Sequence, residues 1–234
     1  MKAERKNTAI IVPIYNSYEF LEELLVRIKQ FTALENVFII DDGSKEIVFG
    51  LVPSEVHFLQ HKKNLGKGAA LQTGFKAALE AGYSFALTID SDLQHKPEEM
   101  RKFIEYQNRN ECDMVIGKRD FQDAKMPWQR KLSNSCTSKM LSWVTRQKIY
   151  DSQCGFRLYN LQILRTQQFV SQRYQFETEI LLRYAAQDAK IGFVPIATIY
   201  GEEQSHISHL RDIWNFLKIF IKEIRRNNEY IVNK

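Results

Sequence analysis

Apolar residues along this chain recur with two periods. Thr8–Pro13 (TAIIVP) and Val37–Ile40 are unbroken apolar runs of strand length, the pattern of strands covered on both faces. Val56–Gln60, Phe85–Ile89 and Asp113–Gly117 supply three more strands. Between them the period lengthens. Leu21, Leu24, Leu25, Ile28 and Phe31 fall at helical spacing, with Asn16 and Glu19 placed ahead of them as a capping box. A helix over Ala69–Glu80 stops at Gly82, and Pro97 opens another that runs to Asn108.

Strand–helix alternation predicts an α/β fold: a mostly parallel sheet with helices on both faces. The second half is less regular. Asp120–Arg130 reads as a polar loop, Lys131–Arg146 as a helix, and Phe156–Tyr159 as a strand after the turn Asp151-Ser-Gln-Cys-Gly155. Phe176–Gln187 is expected to be an amphipathic helix, Ile191–Pro195 a short strand, and Leu210–Arg226 a closing helix. No repeat, low-complexity tract or Pro/Gly-rich linker interrupts the 234 residues, which predicts one domain.

Ligands of such sheets bind beyond the carboxyl ends of the strands. Tyr15-Asn16 follows the first strand, Asp41-Asp42 the second, and Asp90-Ser91-Asp92-Leu93-Gln94-His95 the fourth. If the chain is still extended there, the i, i+2 spacing sends the oxygens of Asp90, Asp92 and Gln94 to one side. Carboxylate and amide oxygens are hard ligands, suited to Mg²⁺ or Mn²⁺, and such ions usually keep positions open for substrate phosphates.

Composition narrows the picture. A net charge of +5 favours anionic ligands. The basic residues are scattered and lack interleaved aromatics, so no nucleic-acid partner is expected. Cys112, Cys136 and Cys154 form no CxxC and no zinc spacing, as in a reduced cytoplasmic protein. No signal peptide or apolar run of about 20 residues is present. A cytoplasmic protein is expected, soluble or peripheral on the cytoplasmic membrane face.

Five motifs then occur in one order: Val12-Pro13-Ile14-Tyr15-Asn16, Asp41-Asp42-Gly43-Ser44, Asn64-Leu65-Gly66-Lys67-Gly68-Ala69-Ala70, Asp90-Ser91-Asp92-Leu93-Gln94-His95 and Cys154-Gly155-Phe156-Arg157. Together they resemble family-2 nucleotide-sugar glycosyltransferases, and within them the dolichyl- or polyprenyl-phosphate sugar transferases of the dolichyl-phosphate-mannose-synthase type. The resemblance spans roughly residues 8–206. It implies a GT-A-type glycosyltransferase domain over 1–206, followed by an amphipathic helix and basic tail over 207–234. That helix carries Leu210, Ile213, Trp214, Leu217, Ile221 and Ile224 on one face, with Lys218, Lys222, Arg225 and Arg226 as its charge. It would lie on lipid, on the domain or on a second subunit.

The resemblance also implies roles. Pro13, Tyr15, Ser17, Ile40, Asp42, Lys67, Ser91, Arg157 and His206 would contact the nucleotide-sugar donor. Asp90, Asp92 and Gln94 would hold the metal and the donor diphosphate, with Asp92 catalytic. Arg119 and Arg130 would face the phosphate of a lipid-linked acceptor. Ser17 stands where relatives carry an acid, Asn134 where that branch often has serine, and His206 where lysine is frequent. Arg157 could instead be structural, paired with a buried carboxylate. Of Glu177 and Glu179, two apart on a helix, one faces the cleft; Glu179 is the expected one.

Two acceptor classes remain open. A polyprenyl phosphate brings its own anionic nucleophile, whereas a glycan hydroxyl, as in cell-envelope glycan assembly, needs a base, for which Glu179 or Asp151 are the candidates. A nucleotide-binding domain without turnover is the remaining alternative.

Overall fold

A computed structural model describes residues 1–45, 50, 52–121, 128–165, 167–173, 175–199 and 220–222, without the side chains of Gln129 and Arg130. Strands β1 (Thr8–Ile14), β2 (Val37–Asp41), β3 (His57–Gln60), β4 (Phe85–Thr88), β5 (Met114–Lys118), β6 (Arg157–Asn160) and β7 (Ile191–Pro195) form one sheet. The seven strands lie in the order β3-β2-β1-β4-β6-β5-β7. Pairing is parallel throughout, except that β6 runs antiparallel to both β4 and β5. The α/β expectation holds, and β6 is what makes the sheet mixed.

The unbroken apolar runs have the burial their pattern predicts. Consecutive residues Ala9 to Val12 and Val37 to Ile40 are all buried, so both faces of these strands are covered. One cover is α2 (Lys67–Glu80), which approaches so closely that a Cβ on Gly74 would sit 2.6 Å from Ile11 Cγ2. The helices α1 (Leu21–Lys29), α3 (Met100–Asn110), α4 (Trp128–Thr145), α5 (Leu161–Leu164) and α6 (Phe176–Ala185) complete the layers.

Pro13 sits inside β1, a central strand, without breaking it. Ile11 accepts from Ile89 on the β4 side while Ile14 accepts from Asp42 on the β2 side, so Pro13 faces the β4 side. The β4 register ends at Ile11–Thr88, and the missing N–H therefore costs no ladder bond.

Three local expectations are corrected. Asn16 does not cap α1, which begins after Phe20; its backbone is left-handed (φ 48°), its N–H donates to Ser44 Oγ at 2.9 Å, and its Oδ1 accepts from Lys45 N at 3.0 Å. The loops after β1 and β2 are thereby joined. α6 is not amphipathic, because every residue from Phe176 to Tyr184 is buried, charged ones included. The segment after β4 is not extended: Leu93 is left-handed (φ 54°) and Gln94 N donates back to Asp92 Oδ1 at 3.0 Å.

Of the helix expected over 210–226, only Phe220–Lys222 are described; they are helical, and Phe220 is buried. The rest of that helix, the tail beyond it and His206 lie outside the described residues.

Candidate active site

The carboxyl ends of β1, β2 and β4 meet at one rim. Ser17 Oγ and Ser91 Oγ are 3.2 Å apart, which ties the β1 loop to the β4 loop. Tyr15 is exposed beside them, and Pro13 is half-buried. Ile40 is buried in the core, so its side chain is not available to a donor.

Asp41 and Asp42 are both buried, and they have different tasks. Asp41 closes its own turn, accepting from Ser44 N at 3.0 Å and from the Ser44 hydroxyl, and it holds Gln60 Nε2 at 2.7 Å. Asp42 anchors the loop that leads into α2. It lies 2.7 Å from His61 Nδ1 and accepts from Leu65 N at 3.0 Å and Gly66 N at 2.7 Å. Gly66 is left-handed (φ 103°), a conformation that lets its N–H turn back to the carboxylate. Three partners leave Asp42 roughly one of its four acceptor directions for a nucleoside.

That loop delivers Lys67 to the end of β4. Its Nζ lies 2.7 Å from Asp90 Oδ1, 2.9 Å from Asp90 Oδ2 and 3.1 Å from Glu177 Oε1. Burial would strip charge from this lysine, but the two carboxylates overcome it and hold the ammonium well above the ordinary lysine range. Burial likewise pushes Asp90 up, and the Lys67 charge pulls it net below the ordinary carboxylate range. Gly155 sits against this pair: a Cβ there would meet both Asp90 Oδ2 and Lys67 Nζ at 2.8 Å. Any side chain at Gly155 would displace the pair.

Asp90, Asp92 and Gln94 therefore share a turn instead of an extended strand end. His95 closes it from below, buried and stacked on Phe156 at 5.5 Å, with its pKa lowered to about 4 chiefly by burial. Gln94 O accepts from Ile199 N at 2.9 Å, which fixes the turn to the segment after β7. Among the described residues no three His, Cys, Asp or Glu cluster as for a metal held by protein alone. Asp90, Asp92 and Gln94 offer two carboxylates and an amide, oxygen donors of the kind a hard cation takes alongside phosphate oxygens.

The second half contributes a charge network. Arg119, just beyond β5, donates through Nε to Asp151 Oδ2 at 2.8 Å and through Nη2 to Asp151 Oδ1 at 2.9 Å. Asn134, on the inner face of α4, donates to Asp151 Oδ1 at 2.9 Å and accepts from Ser152 N at 3.2 Å. The asparagine found in place of serine is thus the joint between α4 and the Asp151 turn. Burial would raise the Asp151 pKa, but the Arg119 bonds hold it below the ordinary range. The Arg130 side chain lies outside the described residues.

Glu179 does not face the cleft, contrary to expectation. It is buried, accepts from Val170 N at 3.0 Å and Ser171 N at 2.7 Å, and pairs with Arg183 one turn on. Burial raises its pKa, but these donors bring it below the ordinary value. Glu177 takes the place beside Lys67. Arg157, expected at the donor, is committed to backbone carbonyls. It is fully buried, with Nε on Cys154 O at 2.6 Å, Nη2 on Ser152 O at 2.8 Å and Nη1 on Glu177 O at 3.1 Å. It is the structural arginine of the alternative reading, serving carbonyls more closely than the Glu177 carboxylate at 3.8 Å. Sequence spacing put Glu177 and Glu179 on different faces, yet it carried no signal for which face turns toward Lys67.

Comparison with known proteins agrees with this architecture. The family described as "Glycosyl transferase family 2" matches residues 9–168. A UDP-N-acetylglucosamine–dolichyl-phosphate N-acetylglucosaminyltransferase of Methanococcus voltae is 28% identical over 218 residues, covering 82% of this chain and 86% of that protein. A polyprenol monophosphomannose synthase of Mycolicibacterium smegmatis is 26% identical over 204 residues, covering 82% and 77%. Among solved structures, glucosyl-3-phosphoglycerate synthase of Mycobacterium tuberculosis with Mg²⁺ and uridine diphosphate superposes with a TM-score of 0.72 at 13% identity, covering 94% of this chain and 79% of that one. That last likeness speaks for the fold, which is of the GT-A type. A rim of polar side chains on a mixed α/β sheet and a family match over residues 9–168 lead to one conclusion: the chain is a glycosyltransferase and belongs to glycosyl transferase family 2.

Proposed function

We propose that this enzyme moves a sugar, with inversion, from a nucleotide-diphosphate donor to a polyprenyl phosphate. The observation that carries the acceptor assignment is the state of the two candidate bases. Asp151 is locked to Arg119 and Asn134, and Glu179 to Arg183 and two backbone amides, each with its pKa held down. A carboxylate stabilised as the anion is a poor base for a sugar hydroxyl. A phosphate monoester needs none, because its second pKa is about 6. The named relatives that act on dolichyl phosphate or make polyprenol monophosphomannose support the same reading.

In this reading Tyr15, Pro13, Ser17 and Ser91 line the donor, and Lys67 lies beside its diphosphate. Asp90, Asp92 and Gln94 would hold Mg²⁺ or Mn²⁺, an ion that supplies positive charge to the diphosphate leaving group. Arg119, kept in place by Asp151, orients the acceptor phosphate, and Arg130 is assigned the same role from its place in the sequence. The acceptor oxygen attacks the anomeric carbon opposite the diphosphate, the bond from that carbon to the diphosphate oxygen breaks, and the nucleoside diphosphate leaves. Catalysis rests on alignment and charge stabilisation.

The test is transfer from a panel of nucleotide sugars to polyprenyl phosphate and to glycan acceptors, with Mg²⁺, Mn²⁺ or chelator, and the product anomer read by NMR. Metal-dependent formation of an inverted lipid-phosphate sugar is expected. Transfer to hydroxyl acceptors alone would overturn the acceptor assignment, and nucleotide binding with no turnover on any acceptor would overturn the enzyme reading.

A further inference from the structure

α4 has two faces of opposite character. Asn134, Ser138 and Leu141 are buried, and Asn134 holds Asp151. On the opposite side Trp128 (67% exposed), Leu132 (63%), Cys136, Lys139 and Trp143 (79%) face outward. At 3.6 residues per turn these five fall within about 80° of arc and extend for about 22 Å. Two tryptophans and a leucine aligned on one helix face are not the scattered apolar residues of an ordinary surface. Trp at each end and Lys between them match the residues that settle at a lipid–water boundary, where indole spans the headgroup level and lysine keeps its charge in water.

The charge along this segment has one sign. From Trp128 to Tyr150 the chain carries Arg130, Lys131, Lys139, Arg146 and Lys148, and no Asp or Glu. Lys118 and Lys148 also flank Tyr150, at 4.6 and 4.8 Å from its ring centre. An apolar stripe on a segment whose charges are all positive complements an anionic bilayer surface; a second copy would oppose like charge to like.

We infer that the outer face of α4 rests on the headgroup region of an anionic membrane, and that the inner face of the same helix thereby holds the Asn134–Asp151–Arg119 network at headgroup height. The inference rests on this surface and not on the acceptor assignment, and the test omits the acceptor for that reason.

The full chain is sedimented with vesicles of phosphatidylcholine, alone or mixed with phosphatidylglycerol, containing no polyprenyl phosphate. Wild type is expected to sediment with the anionic vesicles. The variant Trp128→Ser/Leu132→Ser/Trp143→Ser should lose about tenfold or more in apparent affinity while keeping its thermal midpoint and its rate of donor hydrolysis. Lys139→Glu should weaken binding to anionic vesicles and leave neutral vesicles unchanged. Three results would each overturn the inference: wild type indifferent to vesicles, binding unchanged in the triple variant, or a wild-type dimer that the triple variant abolishes. A failure here leaves transfer to soluble acceptor analogues intact, whereas a failed acceptor assignment leaves vesicle binding intact.

Discussion

Lys67 and Asp90 form the contact that joins the first turn of α2 to the end of β4, with the ammonium 2.7 Å from Oδ1 and 2.9 Å from Oδ2. Glu177 adds a second carboxylate at 3.1 Å. One cation thus separates two anions that would otherwise repel in a half-buried rim. Lys67→Met should destabilise the fold by roughly 1–3 kcal/mol, the penalty of leaving buried polar groups unpaired. Added Mn²⁺ should raise the melting temperature of the variant more than that of wild type, since it meets an Asp90 no longer held by the ammonium. Differential scanning fluorimetry with and without Mn²⁺ reads both effects, and equal metal shifts would remove Asp90 from the metal site.

Glu179→Gln separates a structural carboxylate from a catalytic one. Its partners are Arg183 and two amides, away from Lys67 and Asp90. The expected outcome is a loss of stability of roughly 1–3 kcal/mol in urea unfolding, with kcat per folded molecule within about threefold of wild type. A general base would show the reverse, about 10²–10⁴ in kcat with little change in stability.

The strand ends were legible in sequence because two-faced burial leaves unbroken apolar runs, and an abrupt Asp or Tyr-Asn marks where each run stops. The three groups after β4 were found for a reason that fails in the structure: they lie on a turn with Leu93 left-handed, not on an extended end. β6 was half-legible, since period and turn residues predict a strand but carry no direction. Glu177, Asn134 and Arg157 were the least legible. Asn134 and Glu177 have partners 17 and 110 positions away, and Arg157 is held by carbonyls 3, 5 and 20 positions away that only the folded turn brings around it, so apolar periodicity holds no record of these partners.

The pH dependence of stability follows from the two locked carboxylates. Asp151 and Glu179 have folded pKa values below their ordinary values of 3.8 and 4.5. Above about pH 4.5 both are ionised whether the chain is folded or not, and their full contribution is present. As pH falls further, the unfolded chain takes up protons first, so stability drops until the folded values are passed. Urea midpoints should be flat between pH 5 and 7 with respect to these groups and fall below about pH 4.5. The slope should shrink in Glu179→Gln, and a slope unchanged in that variant would show that the Ser171 and Val170 donors and Arg183 do not hold the carboxylate as an anion.

Asn134 offers the sharpest test of how α4 serves the site. Its amide donates to Asp151 Oδ1 while its carbonyl accepts from Ser152 N, Ser152 Oγ and Ser138 Oγ. Asn134→Asp keeps the size and the acceptor but replaces the donor with a second buried anion against Asp151. Repulsion should raise the Asp151 pKa and pull that carboxylate from Arg119. Asn134→Ser replaces the amide with a hydroxyl that can still donate, over a shorter reach. If Arg119 orients the acceptor, KM for the acceptor should rise about tenfold or more in Asn134→Asp, with KM for the donor nearly unchanged, and Asn134→Ser should recover much of the loss. Steady-state kinetics with each substrate varied in turn measure the split. Equal rises in both KM values would mean that the Asn134–Asp151 joint supports the whole rim and has no particular bearing on the acceptor.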